Sequence, residues 1–329
     1  MAAGLGTRLR PLTYEVAKPL VPVANRPIME HVLRLVASHG PKEVIANLHW
    51  FPEPIRERFG DGAELGLELA YSYEQELLGT AGGVRNVRDF FGSQAFMVMA
   101  ADPLTDVDLA ELAKAHSRKG GIATLAVKKV ANVAEYGVVI TDAEGRIQGF
   151  QEKPDPAEAL SDLASCMIYV LEPEIFDYFP DRPVVDFALD VFPSLLEHDV
   201  PFHVHETPAY WNDVGSIPEY VQGNLDVLAG AVHVEPGGEL LAGSDDEEHP
   251  TTQSGGWTLS GSALIGEGAV IGEGARLDGP LVIGSGTRIG SAAHVKGSVL
   301  LPGAAVPDEA ILVGGIAGRR GLLASPANH

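Results

Sequence analysis

From Leu259 to Leu301 an aliphatic residue returns at every sixth position: Leu259, Ile265, Ile271, Leu277, Ile283, Ile289, Val295 and Leu301. That period fits neither the 3.6-residue turn of an α-helix nor the two-residue alternation of an ordinary strand. It predicts short strands stacked into a triangular parallel β-helix, with each aliphatic side chain turned inward. Glycine follows the aliphatic residue at 266, 272, 284 and 290. With about three repeats per coil, the array makes two to three turns. The prediction is a short left-handed parallel β-helix that fills residues 231–316 together with its linker, and a tail over 317–329. Coils of this kind also form acyltransferase sites between subunits, for which His294 is the candidate base. So short an array instead favours a module that packs against the preceding domain and carries self-association into a homo-oligomer.

Ahead of the repeats the pattern differs. "EVIANLHW" (43–50), "AFMVMAAD" (95–102) and "IATLAVKKV" (122–130) read as strands, while "PIMEHVLRLVASHG" and "DLAELAKAHSRKG" carry helical spacing and glycine stops. Strand and helix in turn predict an α/β domain over residues 1–230, built on a doubly wound, mostly parallel, Rossmann-like sheet. "YGVVITDAEGRIQGFQEKP" reads as a hairpin turning at Asp142 to Gly145, and "FHVHET" as a further strand before the helix "IPEYVQGNLDVLAG". The acidic, small-residue stretch "AGSDDEEHPTTQSGG" is a loop or linker. With 329 residues and 45% apolar content, the chain can bury a full core. No apolar run has the length of a membrane span and no signal-peptide layout opens the chain, so the expected place is the cytoplasm. A formal charge of −22 opposes binding to nucleic acid or to an anionic membrane. The single cysteine, Cys166, lies in the apolar run "ASCMIYVL" and reads as a buried structural thiol.

The chemistry begins at the N-terminus, "MAAGLGTRLRPLTYEVAKPLVPV". Gly4 and Gly6 let the backbone turn tightly and offer N–H groups to phosphate oxygens, Thr7 adds a hydroxyl, and Arg8 and Lys18 add positive charge. Neither a Walker loop nor a dinucleotide fingerprint is present. Pro11, Pro19, Pro22 and Pro27 stiffen the path between the cations. Asp102 ends an apolar strand, where open sheets keep their ligands, and Asp213 in "YWNDVGS" precedes a helix; such carboxylates hold Mg²⁺ against a triphosphate, or serve as turn and cap residues. Glu152 and Lys153 in "QEKP" suit a sugar phosphate, or form a surface ion pair. His203 and His205 share one face of a strand and read as solvated, as do the helix-cap aspartates Asp186 and Asp190.

Taken in order, "AAGLGTRLRPLT…KPLVPVANRPI", "LLGTAGGV", "DPLTDVDL", "YGVV", "EKP", "IYVLEPEIF" and "YWNDVGS", followed by hexapeptides, resemble the sugar-1-phosphate nucleotidyltransferases. Within that family the chain is most similar to the mannose-1-phosphate guanylyltransferases. The resemblance implies transfer of a nucleotidyl group from a nucleoside triphosphate to a hexose 1-phosphate with release of pyrophosphate. It implies GTP and mannose 1-phosphate first, and a thymidylyl- or uridylyltransferase acting on glucose 1-phosphate as the alternative. A non-catalytic regulatory homologue that binds nucleotide sugar is a further reading, against which Arg8, Lys18, Asp102, Lys153 and Asp213 stand intact. By the same resemblance Ala3, Gly4, Gly6 and Thr7 cradle the triphosphate, Arg8 and Lys18 meet its phosphates, and Asp102 and Asp213 hold Mg²⁺. Gly79 lies by the base and Gly137 by the sugar, while Glu152 takes the sugar hydroxyls and Lys153 its phosphate.

The chain departs from the family pattern at Ala101, where glycine is usual, and at Ser165, Cys166 and Met167, where Asn-Ala-Gly is usual. It also begins at the residue that closes the family's first, central strand. The expectation is that this strand is missing from the sequence given, through a late start or a truncation, leaving two sheet edges unpaired.

Overall fold

The computed structural model describes residues 1–14 and 16–324. In chain order its main helices are α1 (Ile28–Ser38), α2 (Gly79–Arg85), α3 (Leu109–Lys119) and α4 (Ile217–Leu228). Among the described residues no helix is long and apolar enough to cross a membrane. The chain divides into two compact units. One comprises Met1–Leu5, Leu33–Ala101 and Val107–Trp211; the other comprises Gly6–Val32, Asp102–Asp106 and the chain from Asn212 onward.

The first unit is mixed α/β. Strands β1 (Glu43–Leu48) and β2 (Glu68–Tyr73) pair in parallel, with Asn47 opposite Ser72. A six-stranded sheet holds β3 (Phe96–Met99), β4 (Ala123–Lys129), β5 (Gly137–Thr141), β6 (Ile147–Glu152), β7 (Leu163–Leu171) and β8 (His203–Glu206), in the order β8-β4-β7-β5-β6 with β3 also on β7. β4 and β8 are parallel, whereas β7 runs antiparallel to β3, β4 and β5. β3 and β4 therefore point the same way, with an inverted β7 between them. β5 and β6 form the expected hairpin. β3 and β5 share one edge of β7, β5 at Ala164 and β3 from Ile168 to Leu171, while the register with β4 shifts between Ser165 and Tyr169, where Met167 adopts φ +54°. Glycine takes such a backbone without strain and methionine does not.

At the free side of β3, the Met1 nitrogen donates to the Met99 carbonyl (2.5 Å) and the Met1 carbonyl accepts from Ala101 N–H (2.9 Å). That alternation is one rung of a parallel ladder. The next residue, Ala2, donates to Asn47 Oδ1 at the end of β1 (2.8 Å), while β1 and β2 form a sheet separate from that of β3. An aromatic core with Phe187, Phe192, Phe202 and Tyr169 lies in the same unit, and Met1 packs against it. Cys166 is 1% exposed, and burial pushes its thiol up to about 12, which leaves it a small apolar residue. His203 and His205 are half-buried rather than solvated, and burial favours the neutral form of each.

The second unit carries the repeats, and its strands stack in parallel. Thr258 pairs with Arg276 and Arg276 with His294; Ala263 pairs with Leu281, and Val270 with Arg288. Each step spans eighteen residues, three hexapeptides per coil, compatible with a triangular parallel β-helix. Leu259, Leu277 and Val295 stack in its buried core. A Cβ on Gly266 would lie 2.5 Å from Ser285 N, so the glycine after the aliphatic residue lets adjacent coils touch. The last coil is one residue shorter. Ile283 pairs with Leu300, which is 1% exposed, so Leu300 rather than Leu301 completes that stack. Within the expected linker, Thr251–Thr252 pairs antiparallel with Thr258 and Leu259. Pairing also runs past residue 316, through Ile311–Gly318 and Gly321–Ala324, inside the stretch expected as tail; residues 325–329 lie outside the described residues.

Helix α4 is anchored in the same unit. Asn224 Oδ1 accepts from Ala24 N–H (2.8 Å), Tyr220 donates to the Pro22 carbonyl (2.7 Å), and Asn25 donates to the Ile283 carbonyl (2.9 Å). The proline-rich segment after the glycine turn is thereby tied to both α4 and the repeats.

Candidate active site

Gly6 turns the opening segment through φ +62°, and a Cβ there would press on Lys18 Cβ at 2.9 Å. Only glycine fits this combination of left-handed backbone and close packing. Thr13 Oγ1 caps the turn by donating to the Gly6 carbonyl (2.7 Å), and Thr7 opens a short 3-10 turn, Thr7–Leu9. Lys18 is buried, with its stem beneath Gly6. Its Nζ lies 2.8 Å from Asp102 Oδ2 and donates to the backbone carbonyl of Asp213 at 3.3 Å. Arg8 projects with a side chain 58% exposed and reaches Asp213 Oδ2 at 3.6 Å. Two cations and two carboxylates far apart in sequence thus meet in the second unit.

Asp213 is held by its own turn. Gly215 N–H is within 3.1 Å of both Asp213 Oδ1 and Glu219 Oε2. Glu219 belongs to a capping box: it accepts from Ser216 Oγ, and Ser216 Oγ accepts from Glu219 N–H at the start of α4. A Cβ on Gly215 would lie 2.5 Å from Asp213 Oδ2 and 3.0 Å from Arg8 Nη1, so a side chain here would displace both groups. Val214, a β-branched residue, sits at φ +44°, a strained backbone of the kind found at functional turns. Burial, reinforced by the Glu219 carboxylate, pushes Asp213 up to about 6 despite Lys18 and Arg8. Asp102 and Asp213 offer hard carboxylate oxygens of the kind Mg²⁺ prefers, but among the described residues no three acidic, histidine or cysteine side chains converge into a ready cage, so an ion held here would draw its remaining ligands from phosphates and water.

In the first unit, Gly137 and Glu152 face each other across the β5–β6 hairpin, where a Cβ on Gly137 would lie 2.9 Å from Glu152 Oε2. Lys153 follows at φ +46°, with its N–H on the Tyr136 carbonyl (3.0 Å) and its Nζ 3.7 Å from Glu152 Oε1. Both side chains are more than half exposed, open to a ligand. Gly79, at φ +77°, leads α2 and packs on the Val185 carbonyl, which accepts from Ala81 and Gly82 N–H (3.0 and 2.9 Å). Thr80 donates to Asp186 (2.7 Å), so Asp186 latches this turn as well as capping its own helix. Ala3 is buried and Gly4 faces open space. Ala101 is 5% exposed, so its added methyl lies within the core.

Glu219 and Gly215 escape a reading of the sequence. The one signal for Glu219 is the S-x-x-E spacing of a capping box, which speaks of a helix start and not of a site. Asn47 and Glu74, both buried, likewise carry no local mark.

A glycine-rich turn beside two cations and two carboxylates is equipment for polyphosphate chemistry. Residues 1–230 match the family model described as Nucleotidyl transferase, and the chain belongs to that family. It is 39% identical over 242 residues to a UTP–glucose-1-phosphate uridylyltransferase of Synechocystis sp., covering 70% of this chain and 62% of that protein's length. It is 34% identical over 280 residues to a mannose-1-phosphate guanylyltransferase of Mycobacterium tuberculosis, covering 85% of this chain and 77% of the relative. Among solved structures, HddC from Yersinia pseudotuberculosis complexed with GMP-PN shares the fold, with TM-score 0.58 and 21% identity over 68% of this chain and 95% of that one.

Proposed function

We propose that this chain joins a nucleoside triphosphate to a hexose 1-phosphate, with GTP and mannose 1-phosphate as its preferred pair, giving GDP-mannose and pyrophosphate. The observation that carries the reading is Lys18 Nζ, set between the Asp102 carboxylate and the Asp213 carbonyl, with Arg8 on the other side of Asp213. A phosphate oxygen of the sugar phosphate attacks the α-phosphorus, and the bond from that phosphorus to the α,β-bridging oxygen breaks, so the electron pair leaves with pyrophosphate. The nucleophile is already anionic and needs no general base; the barrier lies in bringing two polyanions together. Gly4, Gly6 and Thr7 hold the triphosphate by backbone N–H and hydroxyl, with Ala3 leading into the turn. Arg8 and Lys18 offset the charge that builds on the leaving phosphates. Asp102 and Asp213 would hold Mg²⁺, which supplies electrostatic shielding of the phosphates when bound. Gly79 serves the base, Gly137 and Glu152 the sugar, and Lys153 its phosphate.

The guanylyl assignment is supported by a relative of that name aligned over 85% of this chain. The more identical uridylyltransferase supports a second reading, UTP with glucose 1-phosphate. A cytoplasmic enzyme that self-associates through its repeats completes the proposal. Pyrophosphate release from GTP, UTP, dTTP, ATP and CTP, each against mannose and glucose 1-phosphates, tests it. Fastest turnover of GTP with mannose 1-phosphate is expected. UTP with glucose 1-phosphate selects the second reading, and no release from any pair overturns both in favour of a binding protein.

A further inference from the structure

Glu74 stands just past β2, 2% exposed, and Asn47 near the end of β1, 9% exposed. The two are side by side because β1 and β2 run parallel and in register. Asn47 Nδ2 donates to Glu74 Oε1 at 2.6 Å, and Leu78 N–H donates to Glu74 Oε2 at 3.1 Å. The other end of the Asn47 amide, Oδ1, accepts from Ala2 N–H at 2.8 Å. One continuous chain of hydrogen bonds therefore runs from Leu78, the residue before Gly79, through Glu74 and Asn47, to Ala2, just ahead of Ala3 and Gly4. Gly83 closes over the pair: a Cβ there would overlap Glu74 Oε1 and lie 2.6 Å from Asn47 Nδ2.

A buried carboxylate is costly, and a neutral side chain would suffice if this position only filled space. What the carboxylate supplies is two acceptor oxygens pointing at two different segments, which an amide does not have. We infer that Glu74 and Asn47 are positioning residues that lock the Ala2–Gly4 segment and the Leu78–Gly83 turn to each other within the first unit, so that the backbone leading into the triphosphate cradle and the turn that takes the base are preformed together. The inference rests on the nucleotide-binding roles proposed above for Gly4 and Gly79.

Glu74→Gln sets a side-chain N–H₂ against one of two donors, Asn47 Nδ2 or Leu78 N–H. Adding Asn47→Asp restores every bond. The new amide oxygen at position 74 accepts from Leu78, its nitrogen donates to the new carboxylate at position 47, and that carboxylate still accepts from Ala2. Glu74→Gln is expected to raise KM for the nucleoside triphosphate about tenfold while KM for the sugar phosphate stays near that of the parent chain. The Asn47→Asp, Glu74→Gln double variant is expected to return it to within about threefold. Amide hydrogen exchange gives a readout independent of turnover. Residues 2–4 and 78–83 are expected to exchange faster together in the single variant and to be protected again in the double. Faster exchange confined to one turn, or an unchanged triphosphate KM with only a lowered Tm, overturns the coupling. So does a folded double variant that behaves like the single. If the parent chain turns over no nucleotide at all, the proposed function fails, and the exchange result alone decides whether the turns are locked together.

Discussion

The backbone N–H of Gly215 is shared by two carboxylates, Asp213 Oδ1 and Glu219 Oε2, each at 3.1 Å. The shared donor brings the two carboxylates close to one another, and like charges so placed oppose ionisation. Burial and this neighbour together hold Asp213 up to about 6, well above the ordinary carboxylate range. An acid whose pKa rises on folding binds its proton more tightly in the folded chain. It therefore favours the folded state at low pH, and that contribution fades as pH climbs from the ordinary carboxylate range through about 6. Activity runs the other way, because the ionised form is the one that attracts a cation.

The acidic limb of kcat/KM at low Mg²⁺ is thus expected near pH 6, moving to lower pH as Mg²⁺ is raised, since metal and proton compete for one carboxylate. Glu219→Gln, which keeps the cap acceptor and removes the charge, is expected to move the limb the same way. A limb indifferent to both Mg²⁺ and Glu219 removes Asp213 from cation binding.

Asp213→Asn preserves the acceptor for Gly215 N–H and removes a charge the fold holds at a cost. At neutral pH the variant is expected to be as stable as the parent chain or slightly more so, with turnover down about hundredfold or more. Thermal melts and pyrophosphate release check the two halves separately. Turnover close to that of the parent at saturating Mg²⁺ sinks the metal role.

In the proposed role Lys153 holds the sugar phosphate in ground and transition states alike, so Lys153→Ala is expected to raise KM for the sugar phosphate with little change in kcat. Steady-state kinetics with the second substrate varied measure this. The side chain is half exposed and pairs only loosely with Glu152, at 3.7 Å, so stability is expected to stay within about 0.5 kcal/mol of the parent. A KM that does not move takes the residue out of the site.

Ending the chain near Gly243 removes the coils that anchor Asn25 through the Ile283 carbonyl and lie against α4. The shortened protein is expected to melt earlier and, if the repeats carry the proposed self-association, to change its mass in solution. Light scattering and a melting curve decide it; an unchanged mass and Tm leave the coil as an appendage.

Where a signal is periodic and local, the amino-acid sequence by itself determined the outcome. The six-residue period is met by short strands that pair in parallel at eighteen-residue steps, and Gly266 and its counterparts mark where neighbouring strands come close. The same holds for the hairpin around Asp142 to Gly145 and for Gly6, whose neighbours in sequence already demand a tight turn. Near misses came where two adjacent residues are chemically alike: Leu300 and Leu301 both satisfy the pattern, and only the shortened last coil selects Leu300. What tertiary structure alone decided are relationships between distant residues. Lys18 meets Asp102 and Asp213, Ala2 reaches Asn47, and Asn47 reaches Glu74, across separations that carry no spacing rule. The charge state of Asp213 belongs to the same class. Its carboxyl rises to about 6 because burial strips water from it and folding puts Glu219 on the same N–H, and neither condition exists in the extended chain.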